Sequence, residues 1–148
     1  MRGDVRDTGG LRAVIHACIR VVLVAAYATI ILGGLFVTIT PPTSYAWMDI
    51  AIQGLWVTGW VIGGVFALSG VAAVRHQWEM AGCWAIAAGT SVYVTLSWMN
   101  VWEKGTVHLP RAAILTAAVL LLITRALVLL DRNLRARDRI ERHKEATQ

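Results

Sequence analysis

Apolar residues along this chain gather into long blocks, and polar residues are confined to the short gaps between them. The first block runs from Val21 to Ile39, the second from Ile50 to Val74, the third from Met80 to about Val101 and the fourth from Ala112 to Leu130. A transmembrane helix needs roughly 20 largely apolar residues to cross about 30 Å of hydrocarbon, and each block meets that need. The gaps PPTSYAWMD, RHQWE and EKGTVHLPR are too short to hold a soluble domain. The pattern therefore predicts an all-α, integral membrane four-helix bundle that fills the 148 residues as a single membrane domain. A basic N-terminal segment (1–20) precedes it and a charged tail (131–148) follows. Ser44-Tyr45-Ala46 has the form of a signal-peptidase site, but the preceding apolar run is 19 residues long. That exceeds the roughly 7–15 residues of a signal h-region, so an uncleaved first span is expected.

The second block carries its own internal pattern. In GLWVTGWVIGG, Gly54 to Gly64, two tryptophans and four glycines recur within eleven residues. At about 100° per residue, Trp56, Gly59, Trp60, Gly63, Ala67 and Gly70 fall on one helix face, with Asp49 at its outer end. Val57, Val61, Val65 and Leu68 fall opposite and are expected to meet lipid. Gly59-xxx-Gly63-xxx-Ala67 is the small-xxx-small spacing that lets helix backbones approach closely. Ala81-xxx-Ala85, continued by Ala88 and Gly89, is the matching device on the third helix. A tight helix–helix seam is the expectation, closed either within one chain or between chains.

Charge adds orientation. Of 14 Lys and Arg residues, only Lys104 and Arg111 lie at the face carrying the first and third gaps. The positive-inside rule then places both termini in the cytoplasm of a multi-pass inner-membrane protein. Tyr45, Trp47, Trp98 and Trp102 suit the outer headgroup boundary, and Trp78 the inner one. The net charge of +5 needs no nucleic-acid partner, because attraction to anionic lipid accounts for it. Arg12, His16 and Arg20 are spaced i, i+4, i+8 and would form a basic stripe along the inner headgroups if the first helix begins early. In the tail, Asp131–Arg135, Arg137–Glu141 and Asp138–Arg142 are i, i+4 pairs that support a solvated helix beyond the bilayer.

Candidate chemistry is sparse. His16, His76, His108 and His143 sit at boundaries or tails, not as paired ligands at one depth. Cys18 and Cys83 form no CxxC and are expected to be free thiols. No phosphate loop, nucleophile elbow or HExxH is present, so neither an enzyme nor a cofactor is expected. Two charges stand out as functional candidates, Asp49 and Arg125. Asp49 precedes an apolar run and suits a helix N-terminus, or attracts cations at a pore mouth. Arg125 lies inside the fourth block, where a buried charge is costly. It either snorkels about 9 Å to the inner headgroups or meets a structural partner. Asp49, Glu79 and Glu103 all read as edge residues, which argues against a proton-coupled transporter. Gln53, Thr58, Ser69, Thr90, Ser91, Thr95, Ser97 and Thr116 supply amide and hydroxyl groups that either join helices or line a wet lesion in an oligomer.

Twelve Arg against two Lys, with abundant Ala, Val and Gly, looks like the product of a GC-rich genome such as an actinobacterium or its phages. Four spans, short gaps and a charged tail without a catalytic constellation resemble phage holins. They equally resemble the four-span membrane component of prophage exclusion systems. That resemblance covers the whole chain as a plan, not as a motif. It implies a homo-oligomer that permeabilises or depolarises the cytoplasmic membrane. A non-catalytic accessory subunit docking a partner protein is the alternative, and a small transporter the third.

Overall fold

The computed structural model describes residues 7–40 and 50–145. Four long helices follow one another: α1 (Asp7–Ile39), α2 (Ile50–Ala72), α3 (His76–Lys104) and α4 (Leu109–Glu145), with a 3-10 turn at Thr106–His108. Each is long and apolar enough to cross a membrane. The protein is thus an all-α bundle of four membrane-length helices, with no strand among the described residues. Asp49, Tyr45 and Trp47 lie outside the described residues, as does the side chain of Arg12.

The helices run longer than their apolar cores. α1 begins at Asp7, well before Val21, and ends just ahead of Pro41-Pro42, whose rings cannot continue a helix. α3 begins at His76 instead of Met80, which takes Glu79 out of the turn and into the first turns of the helix. α4 admits Pro110 in its first turn, where a missing N–H costs nothing, and continues unbroken through the tail. There Asp131 and Arg135 pair at 2.8 Å. The expected Asp138–Arg142 pair does not form, and the side chains of Arg137 and Glu141 lie outside the described residues.

Neighbouring helices pack in chain order, α1 on α2, α2 on α3, α3 on α4, while the α1 and α4 backbones stay more than 8 Å apart. The glycines explain why α2 can sit between two neighbours. A Cβ added at Gly59 would lie 3.0 Å from the Ala85 carbonyl oxygen and from Gly89, and one at Gly63 would lie 2.9 Å from Ala85 and the Ile86 nitrogen. A Cβ on Gly82 would collide with the Ala67 backbone, and one on Gly70 with the Glu79 backbone. The α2 seam is therefore closed within the chain, against α3. Its α3 side is Gly82, Ala85, Ile86 and Gly89; Ala81, expected in the seam, points outward and is exposed.

A second glycine contact joins α1 to α2. Gly34 of α1 lies against Val61 and Trp60, and Gly64 of α2 lies against Ile31. Val61 and Leu68, expected on the lipid side, thus face α1 and the core, whereas Val65 is exposed. Trp78, exposed, packs on Phe66 with ring centroids 5.4 Å apart. Trp102 is exposed at the other end of α3.

The α2–α3 turn is short and strained. The Arg75 N–H donates to the Gly70 carbonyl at 2.8 Å, and Val74 adopts φ 56°. This is the left-handed position that normally closes a helix with glycine, and a β-branched residue is a real outlier there. Val74 is exposed, so Val74→Gly removes strain without removing packing. Thermal unfolding in detergent should show a gain of about 1 kcal/mol, the low end of the left-handed penalty for a residue with a Cβ; a loss would mean that the turn is held by the valine side chain.

Candidate functional site

The end of the bundle that carries both helix termini and the α2–α3 turn holds a charged cluster. Glu79 on α3 is 2% exposed. The Nε and Nη2 groups of Arg125 on α4 donate to its Oε1 at 2.9 and 2.6 Å. The hydroxyl of Tyr27 on α1 donates to the same oxygen at 3.4 Å and lies 3.2 Å from the Cys83 sulfur. Three helices thus converge on one carboxylate. The pair explains Arg125: it has a structural partner, with its side chain still 26% exposed. It also corrects the placement of Glu79 as an edge residue. Position 79 is near the end of the span, but the bundle encloses its side chain.

Arg20 belongs to the same end. Its Nε donates to the Val71 carbonyl at 3.3 Å and its Nη2 to Val71 and Ala72 at 3.0 and 3.3 Å. A cation on the orphan carbonyls at a helix C-terminus is favoured by both hydrogen bonding and the helix dipole. Arg20 therefore ties α1 to the end of α2. His16, expected beside it, is exposed on the same stretch of α1. Cys18 is an exposed free thiol and Cys83 a buried one.

From Glu79 a file of polar and aromatic groups follows the inward face of α3. Glu79, Cys83, Thr90, Tyr93 and Ser97 are all buried. At about 100° per residue they lie within about 40° of one line, and from Glu79 to Ser97 they climb about 27 Å. Trp60 Nε1 donates to the Thr90 hydroxyl at 2.9 Å, and that hydroxyl donates to the Ile86 carbonyl at 2.7 Å. Trp56 stacks on Tyr93 with centroids 4.6 Å apart, and the Arg111 guanidinium sits 4.8 Å over the other end of this group, at the Tyr93 ring. Ser97 donates to the Tyr93 carbonyl at 2.8 Å, and Trp98 Nε1 to Thr116 at 3.0 Å. Ile86 is the main apolar interruption.

The Trp and Gly residues of the α2 seam thus divide by role. Gly59, Gly63, Ala67 and Gly70 set the distance to α3, whereas Trp56 and Trp60 cover its polar file. The hydroxyls on outward faces satisfy themselves locally. Ser91 and Thr95 donate to the Ala87 and Ser91 carbonyls at 2.7 and 3.0 Å; Thr116, which faces Trp98 of α3, donates to the Ala112 carbonyl at 2.8 Å. Among the described residues, no three His, Cys, Asp or Glu side chains converge as metal ligands would.

Comparison with protein-family models, with curated proteins and with solved structures finds no match to this chain. The fold and the charged cluster stand on their own geometry.

Proposed function

We propose that this protein is a phage or prophage effector of the cytoplasmic membrane, holin-like or exclusion-like, that assembles and lets ions cross. In this reading both termini face the cytoplasm, where the arginine-rich segments favour them, and the protein is not an enzyme. The observation that carries it is the polar file on α3. Polar and ionisable groups inside a membrane bundle are expensive and by default functional, and these extend over most of a hydrocarbon thickness. α1 and α4, whose backbones do not close on one another, form the side on which the file would open to water.

The mechanism differs from association through Gly59, Gly63 and Trp60. α3 of the same chain already packs against that face at Ala85, Ile86 and Gly89. The outward hydroxyls of Ser91 and Thr95 are poor candidates for a wet surface, because both side chains are exposed and lie more than about 100° around α3 from the line of the file. Opening along the α1–α4 side, with partner copies completing the wall, needs neither.

The test is inducible expression in a bacterium, with membrane potential followed by dye. Collapse of the potential ahead of viability loss is the expected result. Stable insertion with an intact potential would instead indicate an accessory subunit. The enclosed Glu79 favours one further reading, a small proton-coupled transporter, since an interior carboxylate is what such carriers use. Substrate flux driven by a pH gradient, without general depolarisation, would select it.

A further inference from the structure

We infer that the cavity at the terminal end of the bundle binds a phosphate anion, as the headgroup of an anionic phospholipid or as free phosphate. It encloses about 280 Å³ and is lined in part by His16, Arg20, His76, Glu79, Arg125 and Arg132. The inference does not depend on ion permeation and holds equally for an accessory subunit or a transporter.

Donors in this cavity outnumber acceptors. Three guanidinium groups meet a single carboxylate, and Arg125 already neutralises that carboxylate. Arg20 is directed to the α2 carbonyls, yet it keeps its full charge there. Arg132 makes no hydrogen bond or ion pair among the described residues. The Nδ1 atom of His76 is buried and without a partner among them. A buried imidazole nitrogen with no partner asks for a ligand, and Arg132 is the residue type whose fixed donors match phosphate oxygens. His76 is also the first residue of α3, so the positive end of that helix dipole opens on the same space. Leu23 and Val71 supply an apolar wall beside the charges, which suits an acyl chain continuing from a headgroup.

The experiment uses the purified full-length protein in detergent and reads bound lipid by native mass spectrometry. Phosphatidylglycerol is the probe and phosphatidylcholine the comparator. The wild type should retain phosphatidylglycerol preferentially. Arg132→Gln should weaken retention about tenfold, the scale of one charge-assisted hydrogen bond, and Arg132→Lys should restore most of it. Arg135→Gln makes the same charge change outside the cavity and should leave retention nearly unaltered. Circular dichroism confirms that each variant is folded. Inorganic phosphate decides the source: if it displaces the lipid and raises the unfolding temperature of lipid-free protein, free phosphate is the ligand. If it does neither while the lipid stays bound, the headgroup is. Equal retention of both lipids, or equal losses in Arg132→Gln and Arg135→Gln, would overturn the site in favour of diffuse charge, as would failure of both probes to bind.

Discussion

Arg125→Leu should cost about 3 kcal/mol of stability, the low end of the penalty for orphaning one member of a buried ion pair. The low end applies because the Arg125 side chain is 26% exposed, while the Glu79 side chain it leaves behind is 3% exposed and borders a cavity that water can enter. Glu79→Gln should cost less, about 1 kcal/mol, since an amide oxygen still accepts from Arg125 and the arginine retains solvent contact. Arg125→Lys should fall between the two, keeping the charge while losing one of two donors. Detergent unfolding of the three variants would check the order. Equal, small losses would mean that water, not Arg125, satisfies the carboxylate.

The second large effect is at Gly82. Its Cα faces the backbone of Ala67 and the Gly63 carbonyl, and backbone cannot step aside for a methyl group. Gly82→Ala should therefore destabilise by about 2–3 kcal/mol, the overpacking range, and Gly82→Val should fail to fold. Gly54 gives the opposite result. A Cβ there meets nothing within 4 Å, so Gly54→Ala should stabilise α2 by about 1 kcal/mol through helix propensity alone. Unfolding assays on the pair separate glycines that set helix distance from one that only tolerates exposure. Similar shifts at both positions would refute the α2–α3 contact.

The four spans were legible because hydrocarbon thickness sets the length of an apolar block, and only four blocks here are long enough. The α2 face was legible because its glycines repeat at helical spacing. The register of α3 was not. Ala81, Gly82, Ala85, Ala87, Ala88 and Gly89 put small residues around most of that helix, so small size alone does not say which side packs. The polar line through Glu79, Thr90, Tyr93 and Ser97 was the better guide, since polar groups face the interior of a membrane bundle. The partner of Arg125 was missed for a related reason. The apolar pattern begins only at Met80 and leaves Glu79 in the gap, whereas α3 starts four residues earlier and brings the Glu79 carboxylate to the arginine. Arg20 capping α2 depends on how α1 leans across the turn, which no periodicity along α1 encodes.

The central claim is that the inward face of α3 carries ions when the bundle opens. Ion flux from liposomes holding the purified protein tests it most directly, comparing wild type with Thr90→Val. This substitution keeps the side-chain shape at mid-file and removes the hydroxyl that Trp60 uses; an apolar constriction at that point disfavours water. The account predicts ion release by the wild type and a clear reduction in the variant at equal insertion. Tight wild-type liposomes, or release that Thr90→Val leaves unchanged, would contradict it.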